Sequence, residues 1–423
     1  MLYTQKLLAE LERKREHLAS YQSRYGRQLA AYRDALATLG TRFPTAEALL
    51  AAQERALAAQ PGVLSAGARP AAEYDSWRAH AGGAVAAPRL PFGQTFAHHE
   101  AARAWAECLR GVTTLAVDGS QLPPWRDASL PIALVQAGLF ENPHQPPTPY
   151  LKDVSTLLLA PDDLLTTEPD SADARTGEAL GYSTQIVHLR RFELEVQTLV
   201  TRLEHHAAPA DGAPADVVAF YDGSLIVSFA LKMAPHMRER YVHASRRLLE
   251  ASARCRVPLV GYIDTSYARD IVTMLGRLDE AQTLPETRGV HDALLWQGAL
   301  AWGDRTPAFI SARDDLAAMG YDDQRENVAF VYFQASSDRP PARLEFPRWV
   351  LAEGRLERVI EATRAEVIAG NGYPYAIEAA DAVAVISTAD RAQFYALFQE
   401  FAERSGLGFT FSRKVLSKSR RRV

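Results

Sequence analysis

The chain lacks the features that mark several large protein classes. Its 423 residues contain two cysteines, Cys108 and Cys255, which are too few for a disulfide framework or a cysteine-rich zinc site and are typical of a reducing compartment. No apolar run approaches the roughly 18 residues that a membrane span requires. The N-terminus also lacks the charged-then-apolar layout of a secretory signal. These absences predict a cytoplasmic protein without a membrane segment.

An excess of positive charge is also missing. The formal net charge is −4, so the chain as a whole does not show the basic character typical of nucleic-acid-binding proteins. Basic residues instead accumulate at the C-terminal end, in a run without any acid: Arg413, Lys414, Lys418, Arg420, Arg421 and Arg422. Contact with a phosphate backbone, contact with an acidic partner and simple solvation each explain such a tail.

The composition is that of an ordinary globular protein, with 47% hydrophobic and 23% charged residues. Residues 1–40 predict one long helix, because apolar side chains recur every seven positions at Leu11, Leu18, Tyr25, Tyr32 and Leu39. Such a helix is either a dimer-forming stalk or a helix packed on its own domain. We therefore expect an N-terminal helical region over 1–110, a main domain over 111–412 and a basic tail over 413–423.

From about Val112 the pattern becomes that of an α/β protein. Three closely spaced strands are predicted first, followed by strands that alternate with amphipathic helices. This order, an antiparallel meander followed by crossover units, is that of a ribonuclease H-like domain. We predict a ribonuclease H-like mixed sheet flanked by helices, with a long N-terminal helical extension. The predicted strands are Thr113–Val117, Pro131–Leu139, Asp153–Leu159, Val217–Tyr221, Pro258–Ile263 and Val328–Gln334.

One short signature occurs twice, as Leu115-Ala-Val-Asp118-Gly-Ser120 and Val218-Ala-Phe-Tyr-Asp222-Gly-Ser-Leu225. Each copy predicts a carboxylate at the C-terminal tip of a buried strand, where the glycine lets the chain turn. Two such tips on neighbouring strands would bring two carboxylates together, as a hard divalent cation requires. The alternative is a pair of ordinary Asp-Gly turns.

Five segments together resemble the NurA family of DNA-end-processing nucleases, over about three quarters of the chain from Val112 onward. They are Val117-Asp118-Gly-Ser, Arg190-Arg-Phe-Glu-Leu-Glu195, Tyr221-Asp222-Gly-Ser-Leu, Arg343-Leu-Glu-Phe-Pro347 and Gly372-Tyr-Pro-Tyr-Ala-Ile-Glu-Ala-Ala-Asp381. The resemblance implies a metal-dependent deoxyribonuclease that uses one or two Mn²⁺ ions, with Mg²⁺ as the alternative. It also implies a homodimer that processes single- and double-stranded DNA ends with a HerA-type hexameric ATPase. Both 5′–3′ exonuclease and single-strand endonuclease activity, in double-strand-break resection, follow from the same resemblance.

The resemblance also assigns roles to individual residues. It places metal ligands on Asp118, Glu193 and Asp222, and Asp381 can serve as a fourth metal ligand. We assign the bridging role to Asp118 as the central strand acid and place Tyr373 close to the phosphate or the attacking water. Glu195 competes with Glu193, because two residues that are two apart on a helix cannot share one face. The position of Asp381 holds a histidine in the family, so a histidine-based proton transfer is not expected here. Oxygen ligands of this kind favour magnesium or manganese over zinc.

Four further positions remain open at this point. Asp264 ends a predicted strand and either approaches the metal or, as we favour, caps the next helix. Arg190 either contacts a DNA phosphate or orients the neighbouring carboxylate. Arg343 pairs with Glu345 on a strand as a site residue or as a structural ion pair. The pair His98-His99 is expected in a solvated loop.

Two other functions compete with a nuclease. An actin-like-fold ATPase also begins with Asp-Gly-Ser turns on a ribonuclease H-like sheet, but the sequence has no later glycine-rich adenosine loop, and a helix glutamate would be unexplained. A catalytically weak adaptor that tethers a translocase to DNA is the second alternative. Retention of Asp118, Glu193 and Asp222 argues against the adaptor, whereas the missing histidine leaves it open.

Overall fold

The computed structural model describes residues 2–60, 62–63, 65–80, 87–125, 128–165, 183–207, 216–285, 289–313 and 327–410. The basic run Arg413–Arg422 lies outside these residues, as does most of the segment Ala207–Asp216, whose content of only Ala, Pro, Asp and Gly predicts a linker. The described helices are α1 (Thr4–Arg42), α2 (Ala46–Ala58), α3 (Glu73–His80), α4 (His99–Ala106), α5 (Pro161–Leu164), α6 (Thr184–His205), α7 (Pro235–Cys255), α8 (Asp270–Arg277), α9 (Asp292–Trp296), α10 (Arg348–Ala352), α11 (Leu356–Ala369), α12 (Tyr375–Ala384) and α13 (Thr388–Arg404). The described strands are β1 (Gly67–Pro70), β2 (Thr113–Leu122), β3 (Ala133–Asn142), β4 (Leu151–Leu159), β5 (Val217–Asp222), β6 (Leu259–Ile263), β7 (Phe309–Ala312), β8 (Val328–Phe333) and β9 (Ala342–Pro347).

The chain forms two compact units, and neither is continuous in sequence. One, here called the four-strand unit, comprises residues 1–95 and 263–348, and the other, the five-strand unit, comprises residues 96–262 and 349–423. This division differs from the boundary expected at residues 110/111. A segment in the middle of the chain packs with the N-terminal helices, a long-range association that no local pattern in the sequence indicates.

The five-strand unit has the strand order β4-β3-β2-β5-β6. Strands β2, β3 and β4 form an antiparallel meander, while β5 pairs parallel with both β2 and β6. Helix α6 connects β4 to β5, and α7 connects β5 to β6, as parallel pairing requires. The predicted ribonuclease H-like mixed sheet is therefore confirmed.

Helices cover both faces of this sheet. Asp118 of β2 pairs with Gly138 of β3, and a Cβ atom built on Gly138 would lie 2.6 Å from the backbone nitrogen of Ala384 in α12. The next residue, Gly119, faces α6 instead, because successive residues of a strand point to opposite faces. The sheet thus has α12 on one face and α6 on the other.

In the four-strand unit, β1, β7, β8 and β9 follow one another in an antiparallel order. The C-terminal part of α1 packs into its core through Tyr32, Leu36 and Leu39, which are at most 2% exposed. The N-terminal part of α1 leaves its apolar residues exposed, including Leu11 and Leu18. The predicted long helix is thus confirmed. Its C-terminal half, from about Tyr25 onward, packs on its own unit. No described helix is long and apolar enough to cross a membrane.

Candidate active site

Asp118 does not end its strand. Strand β2 continues through the Asp-Gly-Ser segment to Leu122, because β3 pairs with it over that whole length. The parallel pairing with β5 stops at Val117 and Tyr221, so Asp118 lies at the end of the parallel ladder and in the interior of the antiparallel one. Its carboxylate accepts a hydrogen bond from the backbone nitrogen of Gly119 at 2.7 Å. The prediction that the chain turns at Gly119 is wrong. The prediction that Asp118 and Asp222 lie close to each other is correct.

Asp222 does end its strand, as expected. It is the last residue of β5, and Gly223 follows with a φ of +131°, a conformation that favours glycine. The Tyr373 hydroxyl donates a hydrogen bond to Asp222 Oδ1 at 2.7 Å. Tyr373 comes from the loop between α11 and α12, and its ring packs edge-on against Tyr262 of β6. The tyrosine of the closing motif and the second strand acid therefore form one pair.

Glu195 of α6 reaches the sheet over Gly119. A Cβ atom on Gly119 would lie 2.1 Å from Glu195 Oε1, so any larger residue here would collide with this carboxylate. Glu195 is only 6% exposed, and its Oε1 makes no hydrogen bond with the described residues, although Arg191 Nε lies 3.3 Å away. Arg191 in turn donates to the Gly119 carbonyl oxygen at 3.1 Å. The glycine of the first signature is thus needed for close approach and not for a turn.

Glu193 points away from these acids, contrary to the preference for Glu193 as the helix ligand. Its carboxylate accepts two hydrogen bonds from Arg240 of α7, at 2.8 and 2.6 Å, and one from Arg190 at 3.1 Å. Two residues along an α-helix correspond to a rotation of about 200°. When Glu195 faces β2, Glu193 must therefore face the neighbouring helix, and Arg190 is the partner of Glu193 there.

The electrostatics of the acids reflect their proximity. The pKa of Asp118 is raised to about 6, above all by burial and also by the nearby carboxylates of Asp222 and Asp381, while the hydrogen bond from Gly119 opposes the shift. The pKa of Glu195 is raised to about 7, mainly by burial, with Arg191 opposing the shift and the carboxylates of Asp118 and Asp222 contributing to it. The carboxylates repel one another when they are ionised, and a bound cation would offset this repulsion.

Asp381 reaches Asp118 from α12. It is exposed, and its side chain is within hydrogen-bonding reach of the Asp118 carboxyl, a contact that raises the pKa of Asp118. Helix α12 is held in place by Glu366 of α11, whose carboxylate accepts from the backbone nitrogen of Ala376 at 2.7 Å and from the hydroxyl of Thr114 in β2 at 2.6 Å. Glu366, which the sequence analysis missed, thereby ties α12 to the strand that carries Asp118.

Tyr221 is a second residue that the sequence analysis missed. It precedes Asp222 on β5, is 7% exposed and hydrogen-bonds to Glu195, which lowers the pKa of that carboxyl. Burial raises its own pKa well above the ordinary tyrosine value. The available signal was the period of two in a strand, which places the residue before a strand acid on the opposite face, toward α6.

The donor set suits a hard divalent cation in its chemistry. Four carboxylates interact here, and the buried Oε1 of Glu195 has no hydrogen-bonding group among the described residues to satisfy it. Within the described parts of the chain, no three His, Cys, Asp or Glu side chains already converge as metal ligands. Asp222 and Asp381 are exposed, so a cation can reach their carboxylates from solvent. The residues that would hold it are Asp118, Glu195, Asp222 and Asp381.

The remaining candidates have other partners. Arg343 is 1% exposed in the four-strand unit, where it donates to Glu345 at 2.8 Å and to Asp270 at 3.0 Å, so it is a structural residue. Asp264 does not cap α8, which begins six residues later. Its carboxylate lies 3.7 Å from Arg339, and Asp292 instead accepts from the first backbone nitrogens of α8.

The predicted loop at the two adjacent histidines is only partly correct. His98 is the N-cap of α4, where its Nδ1 accepts from the backbone nitrogen of Ala101, and His99 is the first residue of the helix. Both are exposed. Neither lies in contact with the carboxylates described above.

The chain is similar to several known proteins. A family model described as "NurA domain" matches residues 112–386. Solved structures that resemble the chain include NurA with manganese (10% identity, TM-score 0.40, 68% of this chain and 89% of that chain) and NurA bound to dAMP and manganese (11%, 0.32, 65% and 85%). The catalytic domain of human endonuclease V is a third (12%, 0.30, 72% and 89%). A search of curated proteins gave no match.

Proposed function

Because the chain belongs to the NurA family, we propose that it is a divalent-metal-dependent deoxyribonuclease that hydrolyses phosphodiester bonds at DNA ends. The observation that carries the proposal is the group of four carboxylates where β2 and β5 end their parallel pairing, with Asp118 at its centre. Ribonuclease H-like sheets provide a rigid support for such a group. Family membership and the acidic site point to the same chemistry.

The chain's own residues have distinct tasks in this reaction. Asp118, Glu195, Asp222 and Asp381 would hold a divalent cation, which would stabilise charge on the phosphoryl oxygens and lower the pKa of an attacking water. Tyr373 fixes the rotamer of Asp222 through its 2.7 Å hydrogen bond. Arg191 pairs with Glu195 and bonds the β2 backbone, which holds that carboxylate over Gly119.

The finer features follow from family membership alone and are part of the same proposal. We propose Mn²⁺ as the physiological ion, with one or two ions bound, and a homodimer that works in the cytoplasm with a HerA-type hexameric translocase on DNA ends, single- or double-stranded. Digestion in the 5′–3′ direction and endonuclease activity on single strands, in double-strand-break resection, complete it. The exposed apolar residues in the first half of α1 are available for the dimer contact.

The test is digestion of end-labelled linear DNA with manganese, magnesium, calcium or EDTA. Asp118→Asn is expected to abolish manganese-dependent cutting, because it removes a charge from the centre of the site. A matched control is Asp153→Asn on the edge strand β4, where the carboxylate also accepts from the next backbone nitrogen, at 2.8 Å. Cutting by the control but not by the site variant supports the proposal. Absence of cutting by the wild type with every metal, even with the translocase and ATP, would leave the adaptor as the better account.

A further inference from the structure

Helix α7 carries a line of two arginines and two histidines along one face. Its sequence contains five arginines and only two glutamates, in a chain whose net charge is −4. His236, Arg240, His243 and Arg247 are spaced four, three and four residues apart, and such spacing places side chains on one face of a helix. At 1.5 Å per residue the line extends for about 16 Å. We call these four residues the α7 row.

The α7 row forms one wall of a groove within the five-strand unit. The groove has a volume of about 550 Å³, and α6 forms the opposite wall with Arg190 and Glu193. Arg190 and Arg240 both bond the Glu193 carboxylate, which neutralises the acid and holds the two guanidinium groups in place. Arg247 is exposed and has no ion-pair partner among the described residues. The groove thus holds three arginines against two carboxylates, Glu193 and Glu239, and Arg247 is the arginine open to a ligand.

We propose that this groove binds the phosphodiester backbone of a DNA strand, an inference that rests on the proposed nuclease function. A line of about 16 Å matches four or five phosphates at the 3.4 Å rise per nucleotide of a stacked strand. That number lies at the lower end of the site sizes of single-strand-binding grooves. Arginine is the residue best suited to phosphate, because its planar fork bonds two oxygens at once.

The position of the groove relative to the acids supports a DNA strand as its occupant. Helix α6 has Glu193 on the groove side and Glu195 on the side of the carboxylate site, and only Leu194 lies between them in the sequence. A strand seated along the α7 row therefore runs one helix width from the proposed metal ligands. The acids would repel a polyanion without metal, and the α7 row supplies a binding surface that does not depend on the metal.

The test measures DNA binding by the full-length protein in EDTA, where no cutting occurs. Fluorescence anisotropy with a labelled single strand, from about 50 to 200 mM salt, compares Arg247→Glu with Arg238→Glu. Arg238 belongs to the same helix but does not line the groove. Arg247→Glu is expected to weaken binding about tenfold or more at low salt and to lower the salt slope by about one. Arg238→Glu is expected to change the affinity less than about twofold.

Equal binding by the two variants, or equal weakening, would overturn the groove proposal. Arg247→Gln gives a second measurement, because it removes the charge without reversing it and must fall between the wild type and Arg247→Glu. The outcome is independent of the nuclease test. Manganese-dependent cutting with equal binding by the two variants refutes only the groove, whereas Arg247-dependent binding without cutting under any metal refutes only the nuclease.

Discussion

Gly119→Ala is the substitution that most sharply tests the geometry of the site. The added Cβ would lie 2.1 Å from Glu195 Oε1, 2.8 Å from Glu195 Cδ and 2.9 Å from Arg191 Cγ. All three atoms belong to side chains, so the backbone need not move. Overpacking of this kind costs about 1–3 kcal/mol, and the lower backbone entropy of alanine in the unfolded chain returns about 0.5–1 kcal/mol. We expect a net loss of about 1–2 kcal/mol in the free energy of unfolding.

The effect of Gly119→Ala on cutting should be much larger than its effect on stability. The Glu195 carboxylate must leave its place over the strand, which removes a proposed metal ligand and should slow manganese-dependent cutting at least about a hundredfold, or about 2.7 kcal/mol. Urea unfolding in EDTA and single-turnover cutting with manganese measure the two quantities. Gly26→Ala is the matched control: it lies within α1 with no heavy atom inside 4 Å of the added Cβ, so it should leave cutting unchanged and stabilise slightly. Wild-type cutting by Gly119→Ala would refute the reasoning.

Three further predictions follow from the contacts of the site. Tyr373→Phe removes a hydrogen bond to the Asp222 carboxylate and should slow cutting about tenfold with little change in melting temperature. Glu366→Ala leaves its strand and helix partners unsatisfied inside the core and should lower the free energy of unfolding by about 2–4 kcal/mol, measured by urea titration. Because burial raises the pKa values of Asp118 and Glu195 above their unfolded values, the metal-free protein should lose stability as the pH rises from about 4 to 7. Manganese should restore that stability at neutral pH, as melting curves with and without EDTA would show.

The sheet of the five-strand unit was predictable because its signals are local. Three strands close in sequence form a meander, and a helix of about twenty residues before or after β5 lets β5 pair in parallel with β2 and β6. The four-residue strands Gly67–Pro70 and Phe309–Ala312 were missed because they are too short to show a period. Their pairing also joins segments about 240 residues apart, which no local pattern predicts.

The site was predictable in its residue types and less so in its geometry. Asp118 and Asp222 belong to the same sequence signature. Strand β2 continues beyond Asp118 because β3 pairs with it as far as Leu122, whereas β5 ends at Asp222. The choice between Glu193 and Glu195 depends on which flank of α6 meets β2. Tertiary packing decides which flank it is, above all the space over Gly119 that Glu195 fills. The sequence of the helix alone does not decide it, because both flanks carry an acid.

The most direct test of the central claim compares Glu195→Gln with Glu193→Gln in single-turnover, manganese-dependent cutting of end-labelled DNA. Glu204→Gln, an exposed acid on the same helix that pairs with Arg254, serves as the control for a lost charge. The structure predicts that Glu195→Gln loses cutting at least about a hundredfold and far more than Glu193→Gln, while Glu204→Gln cuts like the wild type. Loss of cutting in Glu193→Gln with cutting retained in Glu195→Gln would contradict the account.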